Sequence, residues 1–373
     1  MIETLYADAY QASVQKVIAN RQAIGAAFPQ VVLEETGLYN RETVSYWTGG
    51  FWGGLLWLAY RASGEKSLFE LACEIERIQD SALEEFTKLH HDVGFMWIPT
   101  AVFHHKMTGC LQSEIRGLKA AAILASRFHL NGRYLRAWNE EQRPDSSGLV
   151  IVDSLMNVPL LYWASKVTGD PGFRQIAEAH TDTVLKNFVR EDFTVPHIMK
   201  FDSESGRVIG PVQGQGKSED SAWSRGQAWA IYGFAAGYRE TGKTVYLDAA
   251  CRIAQRFYER LPEDRIPWWD FCAEGNERYA KDSSAACVAA SGMLELAELL
   301  KEKKDKDKFK GWAKKILRNL ITGYACFDNK NQGIITCGTV NYVKKRFINV
   351  PIIYGDFYFI EALGKLNGEV GVF

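Results

Sequence analysis

Residues 50–62, Gly-Phe-Trp-Gly-Gly-Leu-Leu-Trp-Leu-Ala-Tyr-Arg-Ala, are apolar or small around most of a helix's circumference, and Ser63-Gly64 then breaks the run. The next segment, 67–87, differs in kind: Leu68, Leu71, Ile75 and Ile78 share one stripe, with charges on the opposite face. A helix buried on every side followed by one buried on a single side is one unit of a two-layer wall. The unit recurs. Buried runs at 94–107, 154–167, 226–240 and 284–300 lead to turns at Thr108-Gly109, Thr168-Gly169 and Thr241-Gly242, and the charged stretch 301–308 takes the place of a further turn. Segment 172–189 repeats the one-sided stripe with Phe173, Ile176, Ala177, Val184 and Phe188. With an outer helix first at 4–27 and an inner one last near 352–365, the count is about twelve in strict alternation. Six inner and six outer helices predict an all-α (α/α)6 barrel. Gly53-Gly54, Ala235-Ala236, Ala285-Ala286 and Ala289-Ala290 would allow close backbone approach around the axis. A generic helical bundle is the plainer reading of those small residues.

At 373 residues the chain exceeds a usual single core, and a repeat architecture is what lets one core keep growing, so a single domain over 1–373 is expected. Its 44 basic and 45 acidic residues nearly cancel, and no basic block marks a nucleic-acid or anionic-membrane partner. An anionic ligand must therefore be met by a local site. No apolar stretch reaches membrane-spanning length, and Met1-Ile2-Glu3-Thr4-Leu5 lacks the basic start of a signal peptide, so a soluble, unprocessed chain is expected. Seven cysteines without a Cys-x-x-Cys pair fit reduced thiols in a cytoplasm, with neither disulfides nor a zinc site.

If the turns lie at one end of the barrel, the openings of the inner helices gather at the other. That mouth would hold Trp47, His91-Asp92, Asp153, Trp223-Ser224-Arg225, Asp282 and Asp356. The long segment 190–222 adds a hairpin signal, with β-like runs 195–201 and 207–209 around 202–206, and brings His197, Gln213 and Gln215 to the rim.

Asp92 and Asp153 begin neighbouring inner helices against apolar sequence. Packed helices lie ~8–10 Å apart, so the two carboxyl groups would flank a sugar ring with room for water. Burial and mutual repulsion would raise one pKa, opposed by the helix N-terminus. The plainer reading is that each Asp caps its helix. For Asp153 the capping-box position is Met156, so that motif is absent.

Trp47, Trp52, Trp223, Trp229 and Trp268-Trp269 crowd the same openings, and sugar C–H faces stack on indole. Trp52, Trp57, Trp97 and Trp163 read as core. Arg225 heads a buried helix, where its fork of donors suits a carboxylate such as a uronic acid; a structural pairing with Asp92 or Asp282 fits the spacing nearly as well. His90-His91-Asp92 and His104-His105 could be taken for metal ligands. Adjacent histidines on a helix diverge, however, and no third ligand stands at zincin spacing, so no metal is expected.

Through 91–95, 152–164, 213–216, 221–229 and 354–358 the chain resembles the unsaturated glucuronyl hydrolases, glycoside hydrolase family 88. The resemblance implies an (α/α)6 barrel acting on lyase-generated oligosaccharides that end in a 4,5-unsaturated uronic acid. It implies hydration of the vinyl ether, C4 gaining a proton and C5 a hydroxyl, after which the hemiketal opens and expels the neighbouring sugar. Asp153 matches the general acid/base and Asp92 the second essential carboxylate. His197, Gln215, Trp223, Arg225 and Trp229 match positions that hold the unsaturated sugar, and Trp47 and His91 also match. No metal or organic cofactor is implied. Lys344, Lys345 and Arg346 stand where relatives bind sulfate, with a solvated basic loop as the alternative. The rivals are an unsaturated rhamnogalacturonyl hydrolase, a conventional inverting glycosidase, and a non-catalytic sugar-binding protein. A glycosaminoglycan-degrading enzyme of a bacterial-type cytoplasm is the role the resemblance suggests.

Overall fold

The computed structural model describes residues 2–328 and 330–373, and the alternation is realised in it. Outer helices run Ile2–Ile24, Lys66–Glu85, Leu111–Ala125, Pro171–Phe188, Thr244–Glu259 and Lys303–Gly323. Inner ones run Phe51–Ser63, Val93–Thr108 in three segments, Pro159–Thr168, Ser224–Thr241, Ser283–Leu299 and Ile353–Leu366. These are the six pairs of an (α/α)6 barrel. In the inner helix Ser224–Thr241 every residue from Ser224 to Gly237 is buried, whereas Thr244–Glu259 buries the single stripe Tyr246, Ala249, Ala250, Ile253, Ala254 and Phe257 with Tyr258 beside it. One continuous apolar cluster draws on all twelve helices. Small residues allow the crowding: a Cβ on Gly233 would overlap Leu155 of the neighbouring inner element.

The four Ser/Thr-Gly turns share one construction. Gly64, Gly109, Gly169 and Gly242 end their helices in the left-handed region, with φ of 70°, 73°, 73° and 69°. The preceding hydroxyl donates to the carbonyl four residues back, as from Thr168 to Ala164 at 2.7 Å, and accepts the amide two residues on, here from Asp170 at 3.1 Å. The outer helix starts directly beyond. Each hairpin is thus closed by the same local chemistry.

Two inner helices are less regular than their sequence suggests. Pro99 has no N–H for the carbonyl four residues back, and Ile98–Val102 adopts a π turn between two α segments. Residues 152–156 form a 3-10 turn, and the α-helix starts at Pro159, a residue preorganised for a first helical position. Asp153 therefore sits on the 3-10 turn and not on the helix proper.

The 190–222 segment forms the expected hairpin, Ile198–Phe201 against Val208–Val212. A third strand, Leu149–Ile151, joins its edge in antiparallel register with Ile151 opposite Ile198. The register continues one step as Val152 N–H donates to the His197 carbonyl at 3.1 Å, so Asp153 and His197 leave the sheet side by side. At the turn end, the last residues fold back beneath the barrel. Phe373 enters the ring of inner helices, its centroid 6.1 Å from Phe95, 6.0 Å from Phe357 and 5.6 Å from Tyr358.

Candidate active site

Trp47, His91-Asp92, Asp153, Trp223-Arg225, Asp282 and Tyr354 all lie at the leading ends of inner elements. The simple capping reading of the two acids does not hold. Asp92 occupies the N-cap position of Val93–Trp97 without a side-chain capping bond, and Asp153 lies inside its 3-10 turn. What joins them is Asn157. Its Nδ2 lies 3.3 Å from Asp92 Oδ1 and 3.2 Å from the Asp153 carbonyl, while its Oδ1 accepts from Phe95 N–H at 2.9 Å. A lone amide inside the apolar run 154–167 was the sequence signal for it, since a buried amide needs partners.

Asp92 is held by its neighbours. His91 places Nε2 3.0 Å from Asp92 Oδ1, and His90 places Nδ1 3.5 Å from Asp92 Oδ2. Burial pushes the Asp92 carboxyl upward, but the charge and hydrogen bond of His91, the charge of His90 and the Asn157 amide outweigh it and hold it below the usual carboxylate range. Asp92 is thus ionised at neutral pH. The upward shift expected for one acid does not fall on it.

Asp153 has a different setting. Its turn is fixed by a chain in which Leu135 N–H donates to His180 Nδ1 at 3.0 Å, His180 Nε2 meets Ser154 Oγ at 2.7 Å, and Ser154 donates to the Ile151 carbonyl at 2.5 Å. Burial, with a smaller contribution from His91, lowers the His180 pKa to about 3, so this relay is neutral. Across the cleft, His197 Nδ1 accepts from Gln215 N–H at 2.9 Å. The tautomer is thereby set: Nε2 carries the proton and faces Asp153 Oδ2 at 3.4 Å.

Trp223 packs on His197 at 4.5 Å between centroids, and the Arg225 guanidinium stacks on Trp223 at 4.6 Å. Arg225 makes one of the two pairings that its spacing allowed. Its Nη1 donates to Asp282 Oδ2 at 2.5 Å and to the Thr339 carbonyl at 2.8 Å, and its Nη2 donates to the Val340 carbonyl at 2.8 Å and Gln215 Oε1 at 3.2 Å. The pairing with Asp282 is realised, and both terminal nitrogens are occupied by the protein. Arg225 thus organises Gln215 and the 339–340 segment.

Trp47, Phe95 and Tyr354 form an aromatic wall, with Trp47 5.6 Å from Phe95 and 5.0 Å from Tyr354, and Trp229 lies behind Phe95 at 5.0 Å. Several buried polar atoms here lack a hydrogen-bond partner: Asp153 Oδ2, His197 Nε2, His91 Nε2, Trp229 Nε1 and Tyr354 Oη. Sugar hydroxyls and water suit such a set. Tyr354 and Trp138, whose ring lies 5.8 Å from His91, were not singled out from the sequence as site residues. Both are single aromatics in aromatic-rich surroundings, with nothing local to distinguish them.

Lys344, Lys345 and Arg346 are exposed on a turn closed by Asn341 and Arg346, next to the segment Arg225 holds. Lys345 Nζ sits 3.7 Å over Tyr342, which stacks on Trp269 at 4.3 Å. Trp52, Trp57 and Trp97 are core, as expected, and Trp163 is nearly so. His104 lies far from the mouth, on Glu76 at 3.0 Å.

No family model matches the chain. The unsaturated glucuronyl hydrolase of Bacillus sp. (strain GL1) is 35% identical over 354 residues, 94% of this chain and 94% of that protein. The unsaturated chondroitin disaccharide hydrolase of Streptococcus pyogenes serotype M1 is 33% identical over 320 residues, 85% of this chain and 80% of that protein. Among solved structures, the unsaturated glucuronyl hydrolase of Bacillus sp. GL1, described as responsible for the degradation of glycosaminoglycan, superposes with a TM-score of 0.91 at 34% identity, over 97% of this chain and 96% of that one. A mutant of the Streptococcus agalactiae enzyme complexed with dGlcA-GalNAc6S gives 0.87 at 27% identity, over 100% and 94%.

Proposed function

Since the chain belongs to the unsaturated glucuronyl hydrolases, we propose how its residues divide the work of removing a 4,5-unsaturated uronic acid from lyase-generated glycosaminoglycan oligosaccharides. Asp153 protonates C4 of the vinyl ether, and its carboxylate then takes a proton from the water that attacks C5. The product is a C5 hemiketal. Opening of the ring bond at C5 leaves a ketone there and a hemiacetal at C1, which releases the neighbouring sugar. Overall, one water adds across the double bond and the glycosidic bond breaks.

Asp92, kept ionised, orients the sugar and the Asn157 amide, with His91 behind it. His197, with its proton on Nε2, and Gln215 border the reacting carbons, and Trp47, Trp223 and Trp229 shape the walls. Arg225 acts through Gln215 and Trp223. The single observation that carries this reading is the Asn157 bridge, which brings the elements of two acids, 61 positions apart by their numbers 92 and 153, to one amide. The whole of 1–373 then serves as one catalytic domain.

The test follows loss of ultraviolet absorbance from unsaturated chondroitin, hyaluronan, heparin and rhamnogalacturonan disaccharides. Turnover of the glycosaminoglycan products is expected, and it should fall by about 10²–10⁴ in Asp153→Asn while substrate still binds. Exclusive turnover of the rhamnogalacturonan product, or full activity of Asp153→Asn, refutes the reading.

For sulfate, the candidate cations are Lys344, Lys345 and Arg346, exposed on the turn closed by Asn341 and Arg346. At least one of Lys344→Ala, Lys345→Ala and Arg346→Ala should change selectivity between sulfated and unsulfated disaccharides; unchanged selectivity in all three removes the idea. We place the enzyme in the cytoplasm. Among the described residues all seven cysteines are free, which suits a reducing compartment, and no helix is long and apolar enough to cross a membrane.

A further inference from the structure

The premise that His90 and His91 diverge on a helix fails. The helix starts only at Val93, and the two rings lie 5.0 Å apart at 30°. One nitrogen of each and a carboxylate oxygen of Asp92 all fall within 4.8 Å of one another. His91 Nδ1 is 2.6 Å from the Ala137 carbonyl and must carry the proton there. Its other nitrogen, Nε2, is fully buried, without a hydrogen-bond partner and 3.0 Å from Asp92 Oδ1; in the neutral ring it is a bare lone pair, and in the charged ring it carries the proton whose charge holds Asp92 low. A lone pair facing a carboxylate at that distance calls for a positive charge between them.

A proton supplies that charge, and so does a metal ion. The surroundings are those of a ligating histidine: the distal ring N–H on a backbone carbonyl, and the carboxylate steadied by an amide, here Asn157 at 3.3 Å. Two imidazoles and one carboxylate suit Zn2+, Co2+, Ni2+ or Cu2+ and not Mg2+ or Ca2+. Ligands at ~2.0–2.2 Å from zinc stand about 3.3–3.6 Å apart in a tetrahedron. His91 Nε2 stands 3.0 Å from Asp92 Oδ1 and His90 Nδ1 3.5 Å from Asp92 Oδ2, so each histidine faces one oxygen of the same carboxylate near that spacing. The cation that opposes this is Arg127, whose charge reaches both His90 and Asp92 while its guanidinium is bound to the carbonyls of Arg136, Ala137 and Trp138 and to Asn139 Oδ1.

We propose that His90, His91 and Asp92 bind a borderline divalent transition ion, and that this ion inhibits the enzyme by occupying the carboxylate that orients the sugar. The ion is not a cofactor: the hydration chemistry runs without it. The inhibitory half rests on the role given to Asp92; the binding half stands on geometry alone.

The experiment titrates metal-stripped protein with ZnCl2 by calorimetry, records Co2+ absorption, and measures turnover of an unsaturated disaccharide across the zinc range. One equivalent should bind, the cobalt form should show d–d bands without a thiolate charge-transfer band, and turnover should fall with occupancy. His90→Ala should weaken zinc binding at least tenfold and shift the inhibition curve equally; should that variant unfold, His90→Phe keeps the ring volume without the nitrogens. Unchanged zinc affinity in the His90 variant, or a dominant thiolate band, overturns the site. Zinc bound at the site with turnover undiminished overturns the inhibitory half. A failure of the catalytic reading shows up separately, as undiminished turnover by Asp153→Asn.

Discussion

The two ends of this barrel differ in what their buried polar groups face: packed helices at the turn end, and an open cleft at part of the mouth. At the turn end, Glu76 is satisfied by His104 at 3.0 Å and Ser113 at 2.6 Å, and Arg116 grips Asp80 through two bonds of 2.7 and 2.8 Å. Nearby, Glu361 accepts from Ser291 at 2.6 Å, Tyr232 at 3.1 Å and the Val372 amide at 2.7 Å, while Glu295 joins Lys365 and Arg239. At the mouth, Asp153 Oδ2, His197 Nε2, Trp229 Nε1 and Tyr354 Oη are buried without partners. Closed networks hold inner helices together, and leaving a member unpaired costs about 1–3 kcal/mol each. Open ones are what a substrate can complete. One end carries stability and the other chemistry.

The sharpest way to break that division is at Asp153. Asp153→Asn should lower kcat/KM by about 10²–10⁴ with Tm little changed, because it removes proton transfer and little packing; a large fall in Tm would make Asp153 a structural group. The turn end should answer in reverse. Phe373→Ala should destabilise by about 3–5 kcal/mol in denaturant unfolding, the range for a buried Phe, with kcat/KM of the folded enzyme within a fewfold of wild type. A collapse of kcat/KM in folded Phe373→Ala would show that the floor under Phe95 governs the site.

Asp356 sharpens the comparison, for it lies at the mouth yet is built like the turn end. Tyr39 donates to it at 2.5 Å, and the Ile334 and Ile335 amides each at 2.8 Å. Burial still wins over these donors, and its pKa is pushed up to about 6. A carboxyl whose folded pKa is raised binds its proton more tightly when folded. Its contribution to stability is therefore full below the unfolded value and is lost as pH rises through about 6. The loss is about 3 kcal/mol for a shift of about two units. Unfolding free energies between pH 4 and pH 7 should show this fall relative to Asp356→Asn; parallel curves would mean that the carboxyl titrates normally. The smallest effect is expected at the turns. Gly169→Ala, at φ 73° with nothing within 4 Å of a new Cβ, should cost only the left-handed strain of about 1–2 kcal/mol and leave activity alone.

Much of this was legible in the chain. The alternation of all-round and one-sided apolar runs gave the count of about twelve helices and placed nine of them, and the Ser/Thr-Gly pairs located four of the hairpin turns. The irregular elements were legible only in part. Pro99 and Pro159 were visible, yet continuous helices were expected over 94–107 and 154–167, because apolar periodicity does not register a π or 3-10 turn of one cycle. The third strand, Leu149–Ile151, read as an apolar approach to Asp153, since a partner strand 47 positions away, Ile198 against Ile151 by number, leaves no local mark. The residues expected at the mouth do converge there. Asn157, Tyr354 and Trp138 join them without having been chosen.

What the sequence determined by itself is the barrel and which ends of its inner helices meet, for these follow from side-chain periodicity within single segments and from turns a few residues long. What only the tertiary structure decided is the state of each group at the mouth: Arg225 committed to Asp282, His197 protonated on Nε2 by the Gln215 amide, His91 turned by the Ala137 carbonyl onto Asp92. Those states are set by partners 57, 18 and 46 positions away, through contacts about 3 Å long. Hydrogen bonds and ion pairs at that range depend on distance and angle, which a linear pattern does not encode.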